Sequence, residues 1–123
     1  MEINNKEKVK KVVQFLKCFC KISNEEKKDY IMNCPHTMIT CFSEICYNLL
    51  KNKHLKKQKN IRAKTENIKK QMKWMMNSTN PCRKKRALLL QSDFGDILFD
   101  VISENLVPFL TKLLKKTSHE YYE

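Results

Sequence analysis

The chain has 123 residues, enough for one domain and too few for two ordinary ones, and 41% of them are hydrophobic, so a core can form. Its 25 Lys and Arg outnumber its 13 Asp and Glu, giving a formal charge of +12. One Gly and three Pro argue against an all-β fold, which needs many turn residues, and a single Gly excludes glycine-rich phosphate loops.

In chain order, the apolar spacing predicts helices joined by short turns. Residues 6–21 carry Val9, Val12, Val13, Leu16, Phe19 and Cys20 at three-to-four spacing, with lysines opposite. Ser23 or Asn24 can cap a second helix, with Glu25 and Glu26 in its favourable first turn. That helix runs to about Asn33, and Pro35 ends it or starts the next. Residues 36–51 form the most apolar helix and are expected to be central. Residues 55–77 read as one long basic helix with a narrow apolar stripe of Ile61, Ile68, Met72 and Met75. So few apolar contacts leave such a helix marginal alone. Asn77 to Pro81 is a break, with Asn80 as N-cap and Pro81 as first residue of a helix holding Arg83-Lys84-Lys85-Arg86. Residues 93–116 form an amphipathic helix pair, kinked or split by Pro108 near Asn105, with Asp93, Asp96, Asp100 and Glu104 along one edge. The tail frays from about Thr117. The expected fold is all-α: a small bundle of five to six helices, with an apolar part at 1–53, a basic segment at 54–92 and a C-terminal helix at 93–116.

The charge is concentrated. Residues 51–90 hold 14 basic side chains and only Glu66 as an acid, while residues 91–123 carry an excess of acids. Such a block is an electrostatic footprint for a polyanion. Lys and Arg neutralise phosphates and release condensed counterions, which gives sequence-independent, salt-sensitive binding. The candidate nucleic-acid-binding residues are Lys56, Lys59, Arg62, Lys69, Lys70, Lys73, Arg83, Lys84, Lys85 and Arg86. Nothing marks specific reading of bases: zinc-finger spacings, aromatic RNA-binding motifs and a long zipper are all missing. Trp74 reads as a core or interface residue before a base-stacking one. The Arg83–Arg86 cluster, with Lys69-Lys70 twelve residues upstream, also reads as a nuclear-localisation signal.

Six cysteines do not read as a disulfide scaffold. The first eleven residues are charged, so no signal peptide is expected, and the thiols of an intracellular chain stay reduced. Cys34, His36, Cys41 and Cys46 lie close together, but their spacing fits no common zinc knuckle, and the thiols read as small buried hydrophobes. Cys34 and His36 diverge in direction and lack an orienting third residue, so no catalytic centre, cofactor or small-molecule substrate is expected. No run reaches the length of a membrane span.

Two stretches carry a family resemblance. The first runs from Phe15-Leu16 to Cys41-Phe42-Ser43-Glu44-Ile45-Cys46-Tyr47-Asn48-Leu49-Leu50-Lys51. The second is the lysine-rich segment 55–73 followed by Lys84-Lys85-Arg86-Ala87-Leu88-Leu89-Leu90-Gln91 and an apolar tail opening at Phe94. Across residues 13–94 the chain resembles the small basic proteins of Polinton/Maverick elements and adintoviruses that are similar to adenovirus core protein X. The family carries a Gly-Gly-Phe step where this chain has Ser92-Asp93-Phe94-Gly95. The resemblance implies a DNA-condensing virion component in the host nucleus or the virion. The rival expectation is a helical interaction module, an accessory capsid or host-modulating protein, whose helices 36–51 and 93–114 bind protein, through self-association or a capsid contact.

Overall fold

The first two helices start on short polar caps. In a computed structural model describing residues 5–121, with side chains to Lys115, Asn5 Oδ1 accepts from Lys8 N at 3.2 Å and opens α1 (Lys6–Lys21). Ser23 Oγ accepts from Glu26 N at 3.1 Å and opens α2 (Asn24–Asn33), while the Glu26 carboxylate accepts from the same hydroxyl. Both satisfy backbone donors that a helix leaves unpaired in its first turn. Pro35 fixes the entry to α3 (His36–Lys51). The Asn52 side chain then accepts from the backbone of His54 and Leu55, turning the chain before α4 (Lys59–Thr65). A 3-10 turn at Glu66–Ile68 leads to α5 (Lys69–Met76). Then follow α6 (Cys82–Leu89), α7 (Ile97–Val101) and α8 (Val107–Tyr121).

The described residues contain no strand, and the chain is the small all-α bundle its apolar spacing predicts. Helix α3 is central: Ile39, Phe42, Ile45 and Cys46 are all fully buried. Phe19 of α1, Phe42 of α3 and Phe99 of α7 meet with ring centroids 5.1–5.8 Å apart. Their tilted and edge-on geometry adds roughly 0.5–1.5 kcal/mol per pair beyond area burial. Removing the central ring, Phe42→Ala, would cost about 3–5 kcal/mol.

Two expectations need correction. The basic segment is not one helix from residue 55. Lys56 lies in a turn, and the 3-10 step at Glu66–Ile68 resets the helical register. The two halves then serve different partners, α4 packing on α7 and α5 on α3. Asn80 does not cap α6. Its side-chain amide donates to Trp74 O at 2.8 Å and so closes α5, leaving Pro81 at the α6 N-terminus without a side-chain cap. The tail from Thr117 lies beyond the described side chains, and the C-terminal stretch is distorted by a π-turn over Asn105, where the kink or split by Pro108 is expected. It runs through two π-turns, Ser92–Asp96 and Ile102–Leu106, into α8, which reaches Tyr121. Pro108 lacks an N–H and its ring presses on the carbonyl four residues earlier, at Glu104. The wide turn, with Val107 N donating to Ile102 O, spans that position and absorbs the misfit without a break.

Gly95 sits in the first π-turn, fully against the end of α6. A Cβ there would meet the carbonyl oxygen of Leu89 far inside contact distance. The chain's one glycine is therefore what lets α6 fold back onto the C-terminal helix. Leu98, Val101, Ile102, Leu106 and Leu110 of that helix are fully buried. Much of the apolar side that the rival expectation assigns to a protein partner thus lies in the core, while Ile97, Phe109, Leu113 and Leu114 are half-buried. Among the described residues no helix is long and apolar enough to cross a membrane.

Candidate nucleic-acid interface

Five inward anchors aim the basic segment. Leu55, Ile61, Ile68, Met72 and Met75 are 0–1% exposed. With Ile68, Met72 and Met75 on the inner face at i, i+4 and i+7, the positions between them turn outward. Lys56, Lys57, Lys59, Arg62, Lys69, Lys70 and Lys73 are all exposed.

Three surface hollows join these cations into a tract. The first, about 360 Å³, is bordered by Lys56, Lys57, Arg62 and Lys69 over a floor that includes Leu49 and Leu50. The second, about 600 Å³, shares Lys69 and adds Lys70 and Lys73. The third, about 440 Å³, shares Lys70 and adds Lys84 with Trp74. The shared lysines make one continuous basic path from the α3–α4 turn to α6. Glu66 is the acid on this path, lining the first two hollows. Among the described residues, no ion pair engages Lys69, Lys70, Lys73 or Lys84. Lys64 points elsewhere and pairs with Glu104, beside Asn105 Oδ1 at 3.4 Å. The acidic edge of the C-terminal helix therefore meets the basic segment at Lys64, away from the path.

Eight of the ten sequence-derived candidates are exposed, and two are not. At 100° per residue, Arg83-Lys84-Lys85-Arg86 cannot share one face. Arg83 and Lys84 face out. Lys85 stands four residues before buried Leu89, is 8% exposed and packs toward Cys46 of α3. Arg86 stands four residues after half-buried Cys82 and spends its guanidinium on the C-terminal end of α2. Its Nη1 donates to the carbonyl oxygens of Ile31 at 2.6 Å and Cys34 at 2.9 Å. Lys85 and Arg86 thus stand apart from the eight exposed candidates: the stem of Lys85 is buried, and Arg86 Nη1 is taken up by backbone carbonyls. Lys59 and Arg83 are exposed but border none of the three hollows. Lys57, which the sequence reading leaves out, borders the first. Its neighbour Lys56 carries the same signal, and only the turn shows that both face one hollow.

The thiols are spread through the bundle. All six cysteines are free. Burial drives the Cys46 thiol up to about 12, against a weaker opposing pull from the Lys85 charge. Burial also raises Cys34, with the Arg86 guanidinium opposing it, and raises Cys41, with Glu44 adding to the effect. Cys34 Sγ lies 3.6 Å from Ile31 O, as a donor to that carbonyl, while His36 is exposed. Among the described residues, no three His, Cys, Asp or Glu side chains gather closely enough to hold a metal. His119 lies outside the described side chains.

Neither a family of known proteins, nor a curated protein, nor a solved structure matches this chain.

Proposed function

We propose that this protein binds nucleic acid without reading its sequence, as a non-enzymatic packaging protein of a virus or virus-like element. The observation that carries the reading is the continuous path of exposed lysines from Lys56 to Lys84, which among the described residues makes no ion pair and has Glu66 alongside it. Cations held on a rigid surface and open to solvent suit a phosphate backbone, whose condensed counterions they replace. The virion role rests on the resemblance of residues 13–94 to the core-protein-X-like proteins of Polinton/Maverick elements and adintoviruses. The rival interaction module has less to stand on, because much of the apolar sides of α3 and of residues 93–114 lies in the protein's own core.

Binding of random-sequence duplex DNA at a series of salt concentrations tests the reading. If about six phosphates are contacted, log affinity should fall with log salt with a slope of about −5. Absence of binding at low salt overturns it.

A further inference from the structure

Trp74 is the chain's one tryptophan. It packs half-buried against the core, and the same ring lines the hollow of about 440 Å³ beside α6. That volume falls within the roughly 300–1,000 Å³ of small-ligand sites. The half-buried lining is Trp74, Leu88 and Gln71, and Lys70, Lys84 and Gln91 are exposed around them. The hollow is largely apolar, yet it ends the phosphate-binding path described above, with Lys70 belonging to both.

A path that met phosphates alone would need no aromatic surface. An apolar slot with a fixed indole, two ammonium groups and two side-chain amides fits a polymer that alternates flat rings with negative charges. Single-stranded nucleic acid is such a polymer, and stacking on an aromatic side chain is how sequence-tolerant binders hold its bases. A duplex keeps its bases stacked inside and offers this hollow only its phosphates. We propose that the Trp74 hollow takes an unpaired base of a single-stranded nucleic acid, with the flanking phosphates on Lys70 and Lys84. The inference rests on the polyanion-binding reading and adds a base-binding site to it.

Because Trp74 is unique, its fluorescence reports on the hollow directly. The full chain is titrated with single-stranded oligothymidylate, with fully paired duplex, and with heparin, a polyanion that has no bases. Oligothymidylate should quench the emission, while heparin and duplex bind without quenching it. Trp74→Leu should weaken oligothymidylate binding about five-fold or more and leave heparin binding unchanged. Ala87→Leu changes an exposed residue at the edge of the hollow and fills the slot with a side chain that cannot stack on a base, so it should do the same. Equal quenching by all three polymers, or unchanged oligothymidylate affinity in Ala87→Leu, overturns the base site while phosphate binding stands. Emission that changes with protein concentration alone means a second copy fills the hollow, and also overturns it. Failure of every polymer to bind at low salt removes the underlying reading, and the base site with it.

Discussion

Arg86 donates from Nη1 to the carbonyl oxygen of Ile31 at 2.6 Å, across 55 positions of sequence. Carbonyls at a helix end have no partner within the helix, and one cationic side chain here serves Ile31 and Cys34 together. The bond ties α6 to the α2–α3 corner and takes Arg86 out of the exposed basic path. Arg86→Ala should therefore lower unfolding free energy by about 1.5–3 kcal/mol, the range for hydrogen bonds to charged groups. Its effect on duplex affinity should be small. Lys84→Ala should show the reverse pattern. Urea unfolding and duplex binding of both variants check the pair.

Gly95 gives a sharper stability test. Adding one methyl group at this position drives a Cβ into the backbone of Leu89, which has no flexible end to move aside. Gly95→Ala should destabilise the fold by ~1–3 kcal/mol or more, despite alanine's better helix propensity. Thermal unfolding reads the result, and a variant as stable as the parent would show that α6 does not press on the π-turn.

The helices with a strong apolar period are legible from the residues alone. Val9, Val13, Leu16 and Phe19 give α1, and Ile39, Phe42, Ile45, Cys46 and Leu49 give α3, all of them buried. The break within the basic segment is not legible, because Ile61, Ile68, Met72 and Met75 keep near-heptad spacing straight through the 3-10 turn. A hydrophobic period records which side is inward, not whether the register has slipped. The inward turn of Lys85 and Arg86 is legible in principle, since Cys82 and Leu89 set the buried face of α6, but four consecutive cations mask it. The Trp74 hollow is a tertiary feature. It forms between α5 and α6, both of which pack on α3, and no apolar pattern within either helix records that arrangement.

Buried thiols make stability fall at high pH. The Cys46 group titrates at about 12 in the folded chain, against a reference of 9.0. Above pH 9 the unfolded chain loses this proton first, so it binds fewer protons than the folded chain and gains relative stability. Folding free energy from Cys46 should thus be intact below pH 9 and decline between pH 9 and about 12, by roughly 1 kcal/mol per pH unit. Cys46→Ala should be less stable at neutral pH, because it leaves a void in α3's contact surface, yet its stability should decline less steeply above pH 9. Urea unfolding at several pH values measures the difference in slope.

Glu66 is the acid on the basic path. It is exposed, so Glu66→Gln should leave stability within about 0.5 kcal/mol. Removing its charge should tighten duplex binding at low salt, and the gain should shrink as salt screens the field. An unchanged affinity would place the bound polymer away from the first two hollows.

The most direct test compares two variants with the same reduction of charge in different places. One neutralises Lys69, Lys70, Lys73 and Lys84 on the path, and the other neutralises Lys8, Lys10, Lys11 and Lys17 on the exposed side of α1. Both sets are replaced by glutamine, and duplex affinity is measured across salt. The path variant should forfeit most of its affinity and show a shallower salt dependence, by about 0.9 for each phosphate it no longer neutralises, while the α1 variant stays near the parent. An equal drop in the two variants would show that net charge alone attracts the polymer and that the Lys56–Lys84 path is not its site.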